Sequence, residues 1–536
     1  MNKRNYFLVL AILLTVILGS HIFHLADIPS GFYLDETSIG YNAALVAQAG
    51  VDEHNILLPI YFKAFGEYKN PIYIYTTALI FRIFGVSEFN LRFTSFLFYT
   101  IALVFHALLI SKLFNRNKTI QIYAFLSFGF LPIFFVLSRI SFELISQLTW
   151  ICAINLVTWR VFWNNKEDKP KTLESLINGL ILGTSIYTYS TARLLSLLTL
   201  VLLWVVFLKK ENIKKLILIS LAFLVSLLPY ITFTISNPGA TTKRFLEISY
   251  IDDPISPIKK VFIFFRNLSE YWSLDFLVVN GDSNLRHSTG YGGILFFSIF
   301  ILFLIGLLSI FYNKKLHRFH MCLLSNLVVS PVAAALTLEG TPHALRSLLL
   351  GYYIVLISCY GVDFIINIPS YRLKKMISIS ITSLFIIEIL SYQLHYFLIY
   401  PSTSIRAMES FDFRSALQTA INQNPKQIIF MNDPYASYVN LRFYQYVVKN
   451  PHNIPIFISQ DPTQALGSCI LYHRKDDEKL SQFPYSFNEY ESKVNLNILQ
   501  RIVSKEPAQS IMKVRCYEEV SKSQLAWETW ESTGIK

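Results

Sequence analysis

Two adjacent carboxylates, Asp35 and Glu36, follow the first long apolar segment of the chain. Partial removal from water at a membrane boundary suits a carboxylate to act as a general base toward a hydroxyl group. The same pair also fits the start of a helix, where Asp caps the first turn and Glu favours its positive end. Capping and catalysis are therefore both open from these residues alone.

A lysine stands next to a predicted helix start in the run Gly-Glu-Tyr-Lys-Asn-Pro at residues 66–71. The spacing predicts a helix that begins at Pro71, with Asn70 as its cap. Lys69 can extend to lipid headgroups. A cation beside the free N–H groups of a helix start is also typical of a phosphate site, so both interpretations stay open.

The short turn Ser-Arg-Ile-Ser-Phe-Glu at residues 138–143 places two charges between apolar segments. Arg139 and Glu143 are four residues apart and can pair with each other on a helix. Charged groups between membrane segments are costly to place, which favours a functional role. We expect both side chains to belong to a site.

Two further polar turns repeat the combination of an arginine with a histidine. Arg286 and His287 lie in a glycine-rich run at residues 281–293, and His343 and Arg346 lie in the turn at residues 339–346. A guanidinium and an imidazole on a flexible loop suit the binding of a phosphate. The alternative for both turns is a solvated loop.

Metal and nucleotide signatures are missing from the sequence. The eleven histidines are dispersed, without the HExxH spacing of a zinc site and without a nucleotide-binding glycine loop. We therefore predict no metal and no cofactor, and a divalent metal has no support. Three of the five cysteines fall in apolar segments, whereas a disulfide between Cys469 and Cys516 is left open by their spacing.

The elements that position these motifs are apolar helices. The chain of 536 residues is 53% hydrophobic and only 15% charged, against about 25% charged in an ordinary soluble domain. Apolar runs of about 20 residues, the length that crosses a bilayer, recur eleven times. The predicted spans are 6–25, 91–111, 121–138, 143–162, 173–189, 192–208, 216–235, 291–312, 321–338, 346–366 and 376–399.

The positions of the lysines and arginines indicate the topology of the chain in the membrane. Of 47 lysines and arginines, 18 stand in six short breaks between spans, while the formal net charge is +12. Such clusters mark cytoplasmic loops, so we predict a multi-pass protein of the cell inner membrane with its N-terminus in the cytoplasm. Nucleic acid is not an expected partner.

Outside the spans, the motifs collect on one side of the membrane. A transmembrane domain over residues 1–400 carries two long outer segments, 26–90 and 236–290, the first with an interfacial helix at Thr37–Ala49. Residues 401–536 have strand-like runs at 427–431, 469–472 and 513–517 and a helical stretch at 415–422. We predict a small extracytoplasmic α/β domain there.

The motifs resemble those of the family 39 glycosyltransferases, which include the protein O-mannosyltransferases and the aminoarabinose transferase of lipid A. The resemblance rests on Asp35-Glu36 and on Glu-Tyr-Lys-Asn-Pro at 67–71, and covers roughly residues 1–400. It implies an α-helical polytopic membrane protein of the C-type glycosyltransferase fold, with about eleven transmembrane helices. The aminoarabinose branch has an arginine soon after Asp-Glu, whereas Ser38 and Ile39 follow here, so lipid A is not implied.

By this resemblance the enzyme is an inverting glycosyltransferase that moves a hexose or pentose from a polyprenyl-phosphate donor to an extracytoplasmic acceptor, which is an envelope lipid, a glycan or a protein. Asp35 is the expected base, with Glu36 and Glu143 as further catalytic carboxylates. The donor phosphate is expected to contact Lys69 and the cations of the three polar turns. Those cations are Arg139, Arg286, His287, His343 and Arg346.

Two other classes of function compete with this interpretation. A transporter or flippase of lipid-linked sugars needs polar groups deep in the membrane, and His106 and Glu388 are the clearest ionisable residues inside predicted spans. The second alternative is a membrane-anchored binding or assembly protein. It would give Asp35 and Lys69 no function.

Overall fold

The structure is a computed structural model, and it describes residues 3–163, 171–312, 317–408, 412–432, 437–459, 467–481, 487–491 and 512–517. Several basic residues of the predicted cytoplasmic loops lie outside the described residues, among them Lys166, Lys169, Lys314 and Lys315.

Long apolar helices make up most of the chain up to residue 398, and each of the eleven predicted spans corresponds to a helix or a pair of helices. The helices are α1 (Lys3–Ile22), α2 (Leu34–Ala49), α3 (Pro71–Phe84), α4 (Glu88–Leu113), α5 (Lys118–Phe130), α6 (Pro132–Leu137), α7 (Leu144–Trp163), α8 (Thr172–Thr184), α9 (Ala192–Phe207), α10 (Ile213–Ser226), α11 (Leu228–Ser236), α12 (Lys243–Ile248), α13 (Pro257–Glu270), α14 (Phe297–Tyr312), α15 (Arg318–Val329), α16 (Val332–Ala335), α17 (Leu348–Ile366) and α18 (Tyr371–Leu398). Short 3-10 turns at Ser185–Tyr187 and Lys210–Asn212 and a π-helical turn at Asp275–Val279 complete this part.

Seven helical segments among the described residues are long and apolar enough to cross a membrane, as in an integral membrane protein. They are Arg4–Ile22, Glu88–Leu113, Leu144–Trp163, Lys210–Ser236, Arg318–Ala335, Leu348–Ile366 and Tyr371–Leu398. The number of eleven spans and the orientation of the chain stay predictions.

Three of the predicted continuous spans are broken at prolines. Pro132 separates α5 from α6, Pro229 stands at the start of α11, and Pro331 precedes α16. Proline lacks the N–H that would continue the helical hydrogen-bond ladder, and its ring clashes with the preceding turn. The sequence pattern correctly located the apolar segments and overstated their continuity.

The first outer segment contains the predicted helix pair and a hairpin between them. Helix α2 begins three residues earlier than the predicted Thr37, and α3 begins at Pro71 as predicted. Strands β1 (Phe62–Ala64) and β2 (Glu67–Lys69) pair antiparallel, with Phe62 opposite Lys69. The turn between them has positive φ at both central residues, Phe65 (52°) and Gly66 (78°), as two-residue hairpin turns require.

The tail contains a mixed five-stranded sheet with helices against it. Helices α19 (Tyr400–Met408), α20 (Phe413–Asn422), α21 (Tyr438–Val447) and α22 (Asp477–Ser481), with a 3-10 turn at Arg474–Asp476, accompany β3 (Gln427–Phe430), β4 (Ile456–Ile458), β5 (Ser468–His473), β6 (Phe487–Glu491) and β7 (Met512–Tyr517). The strand order is β4-β3-β5-β7-β6, with β3 parallel to both of its neighbours and the other pairs antiparallel. All three predicted strands and the predicted helix are confirmed.

Within the tail, Cys469 and Cys516 face each other across β5 and β7 and form a disulfide. Two contacts join the tail to α2. Helix α21 packs on α2 so closely that a Cβ atom at Gly40 would lie 2.6 Å from the Phe443 ring, and Thr37 Oγ1 donates to Asn440 Oδ1 at 2.6 Å. The tail therefore supports the helix that carries Asp35 and Glu36. The domain boundary near residue 400 stays a prediction.

Candidate functional site

The centre of the candidate site is an ion pair between the two outer motifs of the first loop. Lys69 Nζ donates to Asp35 Oδ1 at 2.6 Å, with the lysine side chain 7% exposed and the aspartate 34% exposed. Asp35 lies inside the first turn of α2, because Tyr33 occupies the N-cap position. The interpretation of Asp35 as a helix cap is therefore wrong, and one face of its carboxylate is open to solvent.

Lys69 is held as a buried cation. Burial alone would lower the pKa of its ammonium group, but Asp35, Glu143 and Glu67 outweigh burial and hold the pKa above the ordinary value. The alternative in which Lys69 extends to lipid headgroups is wrong, because the amine ends in this acidic cluster inside the protein.

Glu143 joins this cluster through the start of α3. Its Oε1 accepts from the backbone N–H of Asn70 at 2.9 Å and its Oε2 accepts from Asn70 Nδ2 at 2.7 Å. Asn70 occupies the predicted N-cap position, yet its side chain makes no capping hydrogen bond to α3. Burial raises the pKa of Glu143 to about 7, although Lys69 and the two Asn70 hydrogen bonds oppose the rise.

Arg193, which the sequence did not single out, completes the support of Asn70. Its Nη2 donates to Asn70 Oδ1 at 3.2 Å and its Nη1 donates to the carbonyl of Thr241 at 2.5 Å. The first contact turns the Asn70 amide so that its NH₂ faces Glu143. The second contact ties this arrangement to the other long outer segment.

Glu36, the residue after Asp35, is on a different face of α2 and pairs with Arg92. Both side chains are completely buried, and the guanidinium donates through Nε and Nη2 to the two carboxylate oxygens, each at 3.2 Å. The backbone N–H of Ser141 also donates to Glu36 Oε2, at 2.8 Å. A catalytic role for Glu36 does not fit this geometry, because its oxygens are occupied and shielded from solvent.

Arg139 is also used inside the protein. Its side chain is fully buried, and its guanidinium donates to the hydroxyl of Tyr396 and to carbonyls at the end of α1, including those of His21 and Phe23, both at 2.7 Å. The alternative in which Arg139 pairs with Glu143 is wrong, because Glu143 contacts Asn70. The predicted phosphate contact does not fit either, because the guanidinium is already engaged inside the protein.

Arg286 and Arg346 are the predicted arginines of the two remaining polar turns. The Arg286 guanidinium stacks 3.9 Å from the centre of the Tyr33 ring, two residues before Asp35. Arg346 donates to the carbonyl of Glu339 at 2.7 Å. Tyr189, unnoticed in the sequence, lies near the charged groups of Arg346, Glu143 and Asp35. The turn that carries Arg346 therefore approaches the cluster around Lys69.

His287 and His343 lie behind these arginines and clamp two loops together. Asp282 Oδ2 hydrogen-bonds with His287 Nδ1 and accepts from the Ala344 N–H, each at 2.7 Å. The two imidazole rings stack at 4.6 Å, and burial lowers the pKa of both histidines.

In the described part of the chain, Asp282, His287 and His343 form a group with the chemistry to hold a metal, since their ligand atoms all lie within 4.8 Å of one another. The geometry does not favour an ion. Stacked imidazoles, 18° from parallel, do not direct their in-plane lone pairs at one point, and Asp282 already has N–H partners. The prediction that no metal is used stays a prediction.

Comparison with solved structures identifies the fold. The structure of ArnT from Cupriavidus metallidurans in the apo state is similar, with a TM-score of 0.60 at 10% identity over 96% of this chain and 98% of that one. The chain has the C-type glycosyltransferase fold. The same ArnT bound to undecaprenyl phosphate gives a TM-score of 0.55 at 10% identity, covering 94% and 97% of the two chains.

Two further comparisons agree with this fold. An oligosaccharyltransferase from Archaeoglobus fulgidus, tethered with an acceptor peptide, has a TM-score of 0.50 at 13% identity and covers 85% of this chain and 60% of its own. Residues 68–235 match the family described as dolichyl-phosphate-mannose-protein mannosyltransferase. No curated relative matches by sequence. The resemblance that the motifs indicated is confirmed, and the family match includes Lys69, Glu143 and Arg193.

Proposed function

We propose that this C-type protein is an inverting glycosyltransferase that moves a sugar from a polyprenyl-phosphate donor to an extracytoplasmic acceptor, which is an envelope lipid, a glycan or a protein. The observation that carries the proposal is the Asp35–Lys69 pair, in which a buried cation and a partly exposed carboxylate meet at 2.6 Å. A displacement at a sugar–phosphate bond needs a base for the acceptor hydroxyl and a positive charge for the departing phosphate. The carboxylate of Asp35 and the ammonium group of Lys69 are suited to these two functions.

In the proposed reaction Asp35 takes the proton of the acceptor hydroxyl. The hydroxyl oxygen forms a bond to the anomeric carbon on the face opposite the phosphate. The bond between that carbon and the phosphate oxygen breaks, and its electron pair leaves with the polyprenyl phosphate. The configuration of the sugar is inverted, and a general base in this position contributes about 10²–10⁴-fold to the rate.

Lys69 has the properties needed to stabilise the departing phosphate. Its ammonium group is buried and kept charged by its acidic neighbours, and a fixed charge in a site with little water stabilises a developing anion strongly. Arg286 and Arg346 are proposed to add positive charge for the lipid phosphate, with Arg346 exchanging its contact with the exposed carboxylate of Glu339 for the phosphate. His287 and His343 support those arginines.

Glu143 is proposed to position rather than to react. It fixes Asn70, the residue after Lys69, through two hydrogen bonds, and so holds Lys69 against Asp35. Glu36 and Arg92 position the start of α2 in the same indirect way. The substrate-contacting group is thus reduced from the nine residues predicted to Asp35, Lys69, Arg286 and Arg346.

The proposed orientation places this site outside the cytoplasm, with α1 starting inside and the tail outside the plasma membrane. The transporter alternative is not favoured by the residues that suggested it. Glu388 accepts from the backbone N–H groups of Phe297 and Ser298 at the start of α14, and so serves as a helix cap. His106 is buried and stacks on the Phe128 ring.

The test is sugar transfer by purified protein in liposomes. Wild type, Asp35→Asn and Lys69→Ala would be incubated with a panel of labelled polyprenyl-phosphate sugars and envelope extract, with Lys63→Ala, on the neighbouring strand β1, as the matched control. We expect labelled acceptor from wild type and Lys63→Ala and little from the two site variants. Equal product from all four proteins would remove the proposed site. Labelled lipid crossing the bilayer without transfer would support the transporter.

A further inference from the structure

Helix α13 in the second outer segment carries an apolar stripe that faces away from the rest of the protein. Ile258, Val261, Phe262 and Phe265 are spaced as i, i+3, i+4 and i+7, which places them on one face of the helix. Their exposed fractions are 83%, 55%, 68% and 61%. Four large apolar side chains exposed together on one face indicate a contact that lies outside the folded chain.

The opposite face fixes the height of α13 relative to the membrane. Asn267 is 2% exposed, and its Nδ2 donates to the carbonyls of Ala335 at 3.3 Å and Thr337 at 3.1 Å. Ala335 is the last residue of the membrane-crossing segment Arg318–Ala335. These hydrogen bonds hold α13 at the end of a span. The end of a span lies at the boundary between the hydrocarbon region and the headgroups.

That end of the span is the same one that carries the candidate site. The turn after Ala335 leads directly to Arg346 and then to α17, which begins at Leu348. Toward its C-terminus, α13 continues through the π-helical turn into the loop that contains Arg286. The stripe and the site thus share one side of the membrane, whichever side that is.

The charges of α13 identify the kind of surface that it contacts. Lys259 and Arg266 are seven residues apart, which places them on one flank beside the apolar stripe, and both are exposed. An apolar face bordered by basic residues is typical of helices that lie in the headgroup region of anionic bilayers.

We propose that α13 lies in the lipid leaflet adjoining the candidate site, with its apolar stripe among the acyl chains and with Lys259 and Arg266 at anionic headgroups. The partner surface is the bilayer itself. This contact fixes the loop of Arg286 near the membrane surface and does not depend on the reaction that the site performs.

The test measures depth with spin labels. Single cysteines at Val261 and Phe265, and at the exposed flank residue Glu270 as control, would be labelled in full-length protein whose three unpaired cysteines are replaced by alanine. The protein would be reconstituted in nanodiscs that contain phosphatidylglycerol. We expect the Val261 and Phe265 labels to relax at least 3-fold faster with oxygen than with a water-soluble nickel complex. The Glu270 label should show the opposite preference.

Two results would overturn the proposal. Preference for the nickel complex at both Val261 and Phe265 would place the stripe in water. Loss of access to both reagents would place it against protein, as in a contact with a second copy. Replacing phosphatidylglycerol by phosphatidylcholine should reduce the oxygen preference, and an unchanged preference would refute the contact of Lys259 and Arg266 with anionic headgroups.

Discussion

Asp35 and Glu36 are consecutive residues in the first turn of α2, and each forms an ion pair with a distant cation. The Asp35–Lys69 pair leaves a third of the aspartate side chain exposed, whereas Glu36 and Arg92 are both completely buried. The carboxylate of Glu36 also accepts from Ser141 N–H. One pair therefore keeps an oxygen available for a substrate, and the other is saturated by the protein.

The difference shows that residue type and position in the sequence do not decide what an acid does. A buried ion pair that is fully hydrogen-bonded holds elements together, because removal of one partner leaves an uncompensated charge. A pair at the protein surface can exchange one of its contacts for a ligand. Glu36 therefore anchors α2, and the same turn presents Asp35 to the site.

The largest expected effect is on the rate, in Asp35→Asn. The substitution keeps the size of the side chain and removes the base, so sugar transfer should fall about 10³-fold. Initial rates with labelled donor would measure the loss. The midpoint of thermal unfolding should stay within a few degrees of wild type, and a transfer rate near wild type would show that Asp35 is not the base.

Glu36→Gln tests the buried pair of the comparison. Its main effect should be on the stability of the fold. Loss of the buried charge leaves Arg92 unpaired and should cost about 3–5 kcal/mol of stability. Thermal unfolding in detergent would show this as a lowered midpoint. A second substitution, Arg92→Met, should restore part of the loss. A variant with unchanged stability and abolished transfer would instead make Glu36 a reacting group.

Lys69→Ala tests the buried cation that pairs with Asp35. Loss of a preorganised charge at a departing anion costs about 10²–10³-fold, so transfer should fall by about 10²-fold. Lys63→Ala, on strand β1 of the same hairpin, should leave the rate unchanged. Equal losses in both variants would point to damage of the hairpin rather than loss of a phosphate contact.

The smallest expected effect concerns pH and Glu143. Because burial raises the pKa of this carboxyl to about 7, it is ionised above that pH and becomes protonated below it. The protonated carboxyl accepts more weakly at its hydroxyl oxygen and so holds Asn70 less firmly, and transfer should decrease severalfold as the pH falls through about 7. The rate of sugar transfer would be measured between roughly pH 5.5 and 8.5, a range that brackets this pKa. Wild type should show the inflection and Glu143→Gln should lack it. The same inflection in Glu143→Gln would assign it to another group.

Much of the fold follows from local features of the sequence. Apolar runs interrupted by lysines and arginines located a helix or helix pair at every predicted span, and Asn70-Pro71 located the start of α3. These features depend on neighbouring residues, which is why a single sequence reveals them. The prolines at 132, 229 and 331 could have predicted the breaks.

The partners of the charged groups could not be predicted in this way. Arg92 lies inside an apolar span, 56 residues from Glu36, and Arg193 is 123 residues from Asn70. Nothing in the sequence around either arginine marks these contacts, because they depend on how helices pack. The same limit explains why Arg139 was assigned to phosphate, when its guanidinium binds carbonyls at the end of α1.

The most direct test of the proposed chemistry is the configuration of the sugar in the product. Donor labelled with ¹³C at the anomeric carbon would be converted by wild-type protein in liposomes, and the product would be analysed by NMR. A single displacement with Asp35 as base predicts a configuration opposite to that of the sugar–phosphate bond, with free polyprenyl phosphate in equal amount. Retained configuration would contradict the account.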